Sequence, residues 1–198
     1  LICSEERIMK LIKDKKILVG ADFAGAPLKN AVVDFLKKQG WEITDVGVKD
    51  EHDPNPIMYH RVGLLVGAMI ANKEFERALI FCGTGMGIHI AASKSPHVHA
   101  AVCESVPAAL RCVTANNCNV LAMGAFYVAP KTGIAMADAF LNHNLGDGYE
   151  EWEGFYEYHK FGYDECENFN YEEFKANNFT FKEEPNIKLG KQPEDMTI

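Results

Sequence analysis

The chain has 198 residues, 47% of them hydrophobic, and a formal net charge of −8. That suffices for one globular domain with its own core plus an appendage, and the acidic balance argues against nucleic acid or an anionic membrane as partner. No apolar run approaches the roughly 18–20 residues of a membrane span; the six cysteines hold no Cys-x-x-Cys pair and no secretory leader is read ahead of them, which points to reduced thiols in the cytoplasm and a small molecule as ligand.

In chain order, residues 16–21 (Lys-Ile-Leu-Val-Gly-Ala) read as a buried strand. Residues 27–39 are amphipathic through Leu28, Val32, Phe35 and Leu36, with Pro27 in the first turn and Gly40 at the stop, the pattern of a helix. A strand at 41–46, a helix at 60–71, a strand at 77–81, a helix at 86–94 and a strand at 98–102 follow. Ser105 caps a further helix, with Pro107 near its start, that runs to about residue 115; residues 119–123 form the fifth strand and 130–141 the last helix of the body. Five β-α units on short links predict an α/β fold: a three-layer αβα sandwich whose five-stranded parallel, Rossmann-like sheet has the flavodoxin-like strand order and binds ligands at the carboxyl ends of its strands.

Charge and aromatic content change near residue 145. Up to Asn144 there are 15 Lys and Arg against 14 Asp and Glu; from Leu145 onward there are 5 against 14, together with 12 of the 21 aromatic residues. Residues 146–198 are therefore expected to be a C-terminal extension, too aromatic to be a disordered acidic tail, that packs on the 1–145 domain or on a neighbouring subunit. From about Lys188 the polarity is that of a frayed terminus.

The stretch that carries chemistry is Phe81-Cys-Gly-Thr-Gly-Met-Gly-Ile-His-Ile-Ala-Ala-Ser-Lys94, at a strand-to-helix junction. Gly83, Gly85 and Gly87 let the backbone turn tightly and bring amides close to a ligand, and Cys82 and Thr84 stand beside them. Asp22 follows the first strand, on the same rim as Cys82; Asn116 precedes the fifth strand and so lies at the opposite rim, where it would serve a second subunit. His97-Val-His99 alternates along a strand edge and, with no other ligand spacing, implies no metal.

These residues carry a resemblance. Gly20-Ala-Asp-Phe-Ala-Gly25, the Cys82 stretch and Asn116-Asn-Cys-Asn-Val-Leu-Ala-Met-Gly124 are similar, in order and spacing, to three signatures of the type B ribose-5-phosphate isomerases and galactose-6-phosphate isomerases. The resemblance spans about residues 16–145 and implies an aldose–ketose isomerase acting on a sugar phosphate through a cis-enediolate, without cofactor. It makes Cys82 the base, Thr84 an assisting hydroxyl and the backbone of Gly83, Gly85, Met86 and Gly87 the cradle for the enediolate. Asp22, with Phe23 beside it, would grip the sugar hydroxyls, and Asn116 would be given across the interface of a homodimer or tetramer. Two positions depart from the pattern: Phe23 and Ala115 stand where the family has histidines, the second associated with ring opening. The family's phosphate-gripping arginines are missing from residues 146–156, which leaves Arg111, Lys94 or Lys131 to hold an anion. These departures point to an already acyclic tetrulose or tetrose phosphate, or else to a non-catalytic sugar-binding subunit.

Overall fold

Five apolar runs line up as one parallel sheet in a computed structural model that describes residues 14–50, 52–181 and 186–193. The strands are β1 (Lys16–Ala21), β2 (Glu42–Asp45), β3 (Ala78–Cys82), β4 (Ala100–Val102) and β5 (Val120–Gly124). Between and after them run α1 (Ala26–Lys38), α2 (Tyr59–Ala71), α3 (Met86–Ala92), α4 (Val106–Thr114) and α5 (Pro130–Leu141). Their bounds agree with the sequence reading to within two residues. The cap at Ser105 is present, its hydroxyl accepting the Ala108 N–H at 3.3 Å.

Side chains alternate across the sheet and give it two cores. Ile17, Val19, Leu79, Phe81, Leu121 and Met123 face α1, α4 and α5, meeting Val32, Val113 and Phe140. Leu18, Ile80 and Ala122 face α2 and α3, meeting Val62, Val66 and Ile88. The three layers are those expected, but the strand order is β2-β1-β3-β5-β4, so the flavodoxin-like order is corrected in its last two places. Burial explains the exchange. All five residues of β5 are buried, whereas β4 has three residues, none of them buried. The strand that is apolar on both faces takes the interior position and the short one the edge.

Two buried cations lock the frame. Arg77 is fully buried and donates to the carbonyls of Phe140 at 2.5 Å and His143 at 2.9 Å, tying β3 to the end of α5; burial lowers its pKa to about 10, which leaves it charged. Lys29 on α1 donates to Asp45 at 2.5 Å and to the Val48 carbonyl at 2.6 Å, so its charge is spent on the β2 end and not on a ligand.

The extension contributes α6 (Phe155–Glu167) and α7 (Tyr171–Ala176). Tyr149 stacks on Phe155 with ring centres 4.2 Å apart, and the Arg111 guanidinium lies 4.4 Å from the Tyr149 ring and 5.1 Å from Phe155. The far end of α6 is held to the edge of β4: the buried Glu167 carboxylate accepts from His97 Nδ1 at 2.6 Å and His99 Nε2 at 2.7 Å, and Tyr163 packs on the His99 ring. The stretch expected to fray from Lys188 is instead pinned as far as Gly190. Trp152 Nε1 donates to the Gly190 carbonyl at 2.8 Å and the Gly190 N–H to the Glu153 carbonyl at 2.9 Å. α7 buries no side chain of its own; Phe174 gathers Phe169, Phe179 and Phe181 around it.

Among the described residues the five cysteines are free thiols, Cys166 exposed and the other four buried, and no helix is long and apolar enough to cross a membrane. Cys3 and residues 194–198 lie outside the described residues.

Candidate active site

Parallel register sets Asp22 beside Cys82. Ala21 pairs with Phe81, and one residue further the Asp22 N–H donates to the Phe81 carbonyl at 3.3 Å. The chain then turns into α1 so closely over β3 that a Cβ on Gly25 would fall 2.4 Å from the Phe81 carbonyl and 2.7 Å from Cys82 N. Only glycine fits there. Asp22 Oδ1 accepts the Gly25 N–H at 2.9 Å, so the carboxylate also holds this turn. It is 6% exposed; burial pushes its pKa above the ordinary value, against the N–H groups of Gly25 and Ala24.

Cys82 closes β3 with its sulfur turned into the loop, where the Gly85 N–H donates to Sγ at 3.1 Å. The Met86 N–H donates to Thr84 Oγ1 at 3.3 Å. The row of bare amides read from the glycines is thus partly taken up by the motif's own Cys82 and Thr84. Gly85 has φ +76°, and a Cβ there would stand 2.9 Å from the Val102 side chain and 3.0 Å from the backbone of Met123 and Gly124, so a left-handed turn and a close approach coincide. Beyond β5 the chain clamps the loop from the other side, Ala125 N–H to the Cys82 carbonyl and Phe126 N–H to the Gly83 carbonyl, both at 2.9 Å.

Apolar side chains border this rim. The Phe126 ring lies over Gly83 and the Tyr59 ring over Gly87, each 2.5 Å from where a Cβ would stand. Phe126 is 70% exposed, Phe23 63% and Met86 48%. Asp22, Phe23, Cys82, Gly83, Thr84, Gly85, Met86 and Gly87 therefore form one constellation. Neither Tyr59 nor Phe126 was expected in it: each comes from a loop or helix start whose approach to the glycines depends on packing.

Arg111 and Asn116 are elsewhere. Asn116 is exposed just past the end of α4, at the N-terminal side of β5. Arg111 lies under the Tyr149 and Phe155 rings with its Nη1 buried and unpartnered. Lys94 follows α3 and Lys131 opens α5, both exposed. Asn116 forms part of a separate cavity of about 780 Å³ between the body and α6, which His159 also lines. His159 was not singled out in the sequence, where it is one of many residues in an aromatic run. Burial and then the nearby Arg111 charge push its pKa down, opposed by the nearby Ala115 carbonyl. Among the described residues no three His, Cys, Asp or Glu side chains are grouped to hold a metal ion.

A sulfur, a carboxylate and a hydroxyl on one rim, around a glycine backbone that accommodates no side chain, suit proton transfer on a small polyhydroxy compound. The known proteins that the chain is similar to agree. The Ribose/Galactose Isomerase family profile matches residues 17–154. The chain is 40% identical over 137 residues, 69% of its length and 85% of the relative's, to a 4-deoxy-4-sulfo-D-erythrose isomerase of Clostridium sp. (strain MSTE9). It is 33% identical over 132 residues, 67% of its length and 86% of the relative's, to a D-erythrulose-4-phosphate isomerase of Pectobacterium atrosepticum. Among solved structures, ribose-5-phosphate isomerase B of Clostridium thermocellum superposes with a TM-score of 0.67 at 30% identity, over 82% of this chain and 99% of that one. The chain belongs to the ribose/galactose isomerase family and is an aldose–ketose isomerase.

Proposed function

We propose that the chain interconverts a four-carbon aldose and ketose that carry a terminal anion and remain acyclic, through a cis-enediolate with Cys82 as base. The observation that carries this reading is the sulfur of Cys82, 3.1 Å from the Gly85 amide and on the same rim as Asp22 and Thr84. The sulfur removes the proton from the carbon next to the carbonyl and returns it to the neighbouring carbon. Backbone amides of the 83–87 loop offset the charge that develops on oxygen, Thr84 assists with its hydroxyl, and Asp22 grips the substrate hydroxyls.

Chain length and charge of the substrate follow from what the site lacks. Phe23 and Ala115 stand where the resemblance expects histidines, and a tetrose substituted at its fourth carbon has no hydroxyl there to close a furanose. Two of the relatives are named for four-carbon sugars. Residues 146–156 hold Asp147, Glu150, Glu151 and Glu153 and no arginine, so a sulfonate, with one charge, meets less repulsion than a phosphate dianion. The active form is a homodimer or tetramer, because Asn116 lies away from its own Cys82 and completes the neighbour's site. Its free thiols suit the cytoplasm.

The test is interconversion of D-erythrulose 4-phosphate, 4-deoxy-4-sulfo-D-erythrose, ribose 5-phosphate and galactose 6-phosphate, with the unsubstituted sugars as controls. The four-carbon anions should have the highest kcat/KM, by at least about tenfold, the worth of one or two small contacts. A preference for ribose 5-phosphate would overturn the substrate assignment, and turnover of none would overturn the activity.

A further inference from the structure

The Cys82 rim and the cavity around Asn116 are two open half-sites on one chain. The first has the reacting sulfur but an exposed apolar border, with Phe23, Met58, Phe126 and Tyr127 all more than half exposed; such a border is what a second subunit covers. The second is lined by polar groups, His99, Asn116, His159 and Glu165 among them. One of its walls is the end of α4, with Ala115 and Asn116; the other is α6, with Tyr158 and His159.

His159 is built into that wall. Its ring packs 4.3 Å from Phe155 and edge-on to Tyr158 at 5.3 Å, and the carbonyl of Ala115, the residue before Asn116, lies beside it. A neutral imidazole offers one N–H donor and one acceptor nitrogen. Burial and the Arg111 charge both favour the neutral ring. The helix that carries it is anchored two turns on by Glu167 between His97 and His99.

We propose that His159, from the extension, touches the substrate held by Cys82 of a second copy of the chain, accepting a substrate hydroxyl proton and passing it between the two enediol oxygens. This rests on the shared isomerase site proposed above. In the aldose-to-ketose direction the partner's sulfur takes the proton from C2 and O1 becomes the oxyanion. The imidazole takes the O2 proton and delivers it to O1, and the sulfur returns its proton to C1. Protons balance and no further reactant is needed. An acyclic substrate has no ring to open, so the imidazole acts on the hydroxyls alone.

The experiment mixes full-length subunits one to one, with exchange verified by native mass spectrometry, and assays the best four-carbon substrate. Cys82→Ala and His159→Phe should each fall at least about 100-fold alone, the scale of losing one acid–base group. Their mixture should recover about a quarter of wild-type activity, since about half the dimers are mixed and each holds one whole site. His159→Gln, which keeps an acceptor but cannot carry a proton, should restore KM and not kcat. The proposal is overturned if His159→Phe stays within about twofold of wild type, or if the Cys82→Ala and His159→Phe mixture fails to recover while Cys82→Ala with Asn116→Ala does; the second result would keep a shared site without His159. Recovery in neither mixture, from an active wild type, would remove the shared site and His159 with it. An inactive wild type would instead sink the assigned reaction and every role built on it.

Discussion

The rim around Cys82 is shaped by backbone, and the wall around Asn116 and His159 by side chains. At the rim, register and close approach fix the geometry: Ala21 beside Phe81, Gly25 against the β3 carbonyl, Gly85 against the end of β5. At the wall, an appended helix is docked by ring stacking on Arg111 and by one carboxylate between two histidines. The first arrangement does not adjust, because the interfering atoms are main chain; the second can yield locally, and its bonds respond to pH. Glycine substitutions should therefore cost more at the rim than in the extension, and the docking of α6 should depend on the charge of Glu167.

The largest effect is expected from Cys82→Ala, which should lower kcat by about 10²–10⁴-fold, the range for removing a general base, with a thermal midpoint near that of the wild type. Steady-state kinetics with a melt decides it; retained turnover would remove Cys82 from the reaction. Next comes Gly25→Ala, whose Cβ would stand 2.4 Å from main-chain atoms of Phe81. A loss of about 3 kcal/mol is expected in denaturant unfolding, with activity falling as α1 lifts from the rim. Gly148→Ala in the extension has φ +81° but open space around it, so only the backbone strain of about 1–2 kcal/mol applies. Equal costs at the two positions would contradict the contrast between rim and wall.

Asp22→Asn separates function from stability. The folded carboxyl has a raised pKa, so the folded state binds the proton more tightly, and stability declines as pH rises through the window between the unfolded and folded values. The amide keeps the Gly25 bond and removes the charge. It should unfold later than wild type at neutral pH, lose that slope, and turn over about 10–100-fold more slowly for want of a carboxylate grip. Lower stability across all pH would refute the burial argument.

An effect as small as that of Gly148→Ala belongs to Glu167→Ala. Burial alone would raise the Glu167 pKa, but the bonds from His99 and His97 outweigh it and the net shift is downward. Its contribution is therefore present above the ordinary carboxylate range and lost as pH falls through the lowered folded value. The variant should lose about 1–2 kcal/mol, seen as faster hydrogen exchange in α6 with the amides of β1, β3 and β5 unchanged. Faster exchange in the sheet would mean that the extension supports the body more than this contrast allows.

The sequence carried the rim far better than the wall. Strand and helix limits were legible because apolar period and the punctuation of Pro27, Gly40, Ser105 and Pro130 are local signals. The adjacency of Asp22 and Cys82 followed from both standing just past, or at, the ends of parallel strands. The exchange of β4 and β5 was not read, although the unbroken apolar run at 120–124 beside a histidine-flanked 98–102 held the hint. Nor was the turning of the Gly85 and Met86 amides onto Cys82 and Thr84, which depends on side-chain rotamers. His97 and His99 read as ordinary edge residues because Glu167 is 70 and 68 positions away, and His159 gained its place only through the docking of α6.

Proton transfer at Cys82 is tested by turnover of the preferred four-carbon substrate in D₂O, with NMR of the product. A sulfur base that exchanges with solvent should leave deuterium at C1 of ketose or C2 of aldose, and Cys82→Ala should incorporate none. Turnover without solvent deuterium, as in a hydride shift, or unchanged incorporation by Cys82→Ala would exclude Cys82 as the proton carrier.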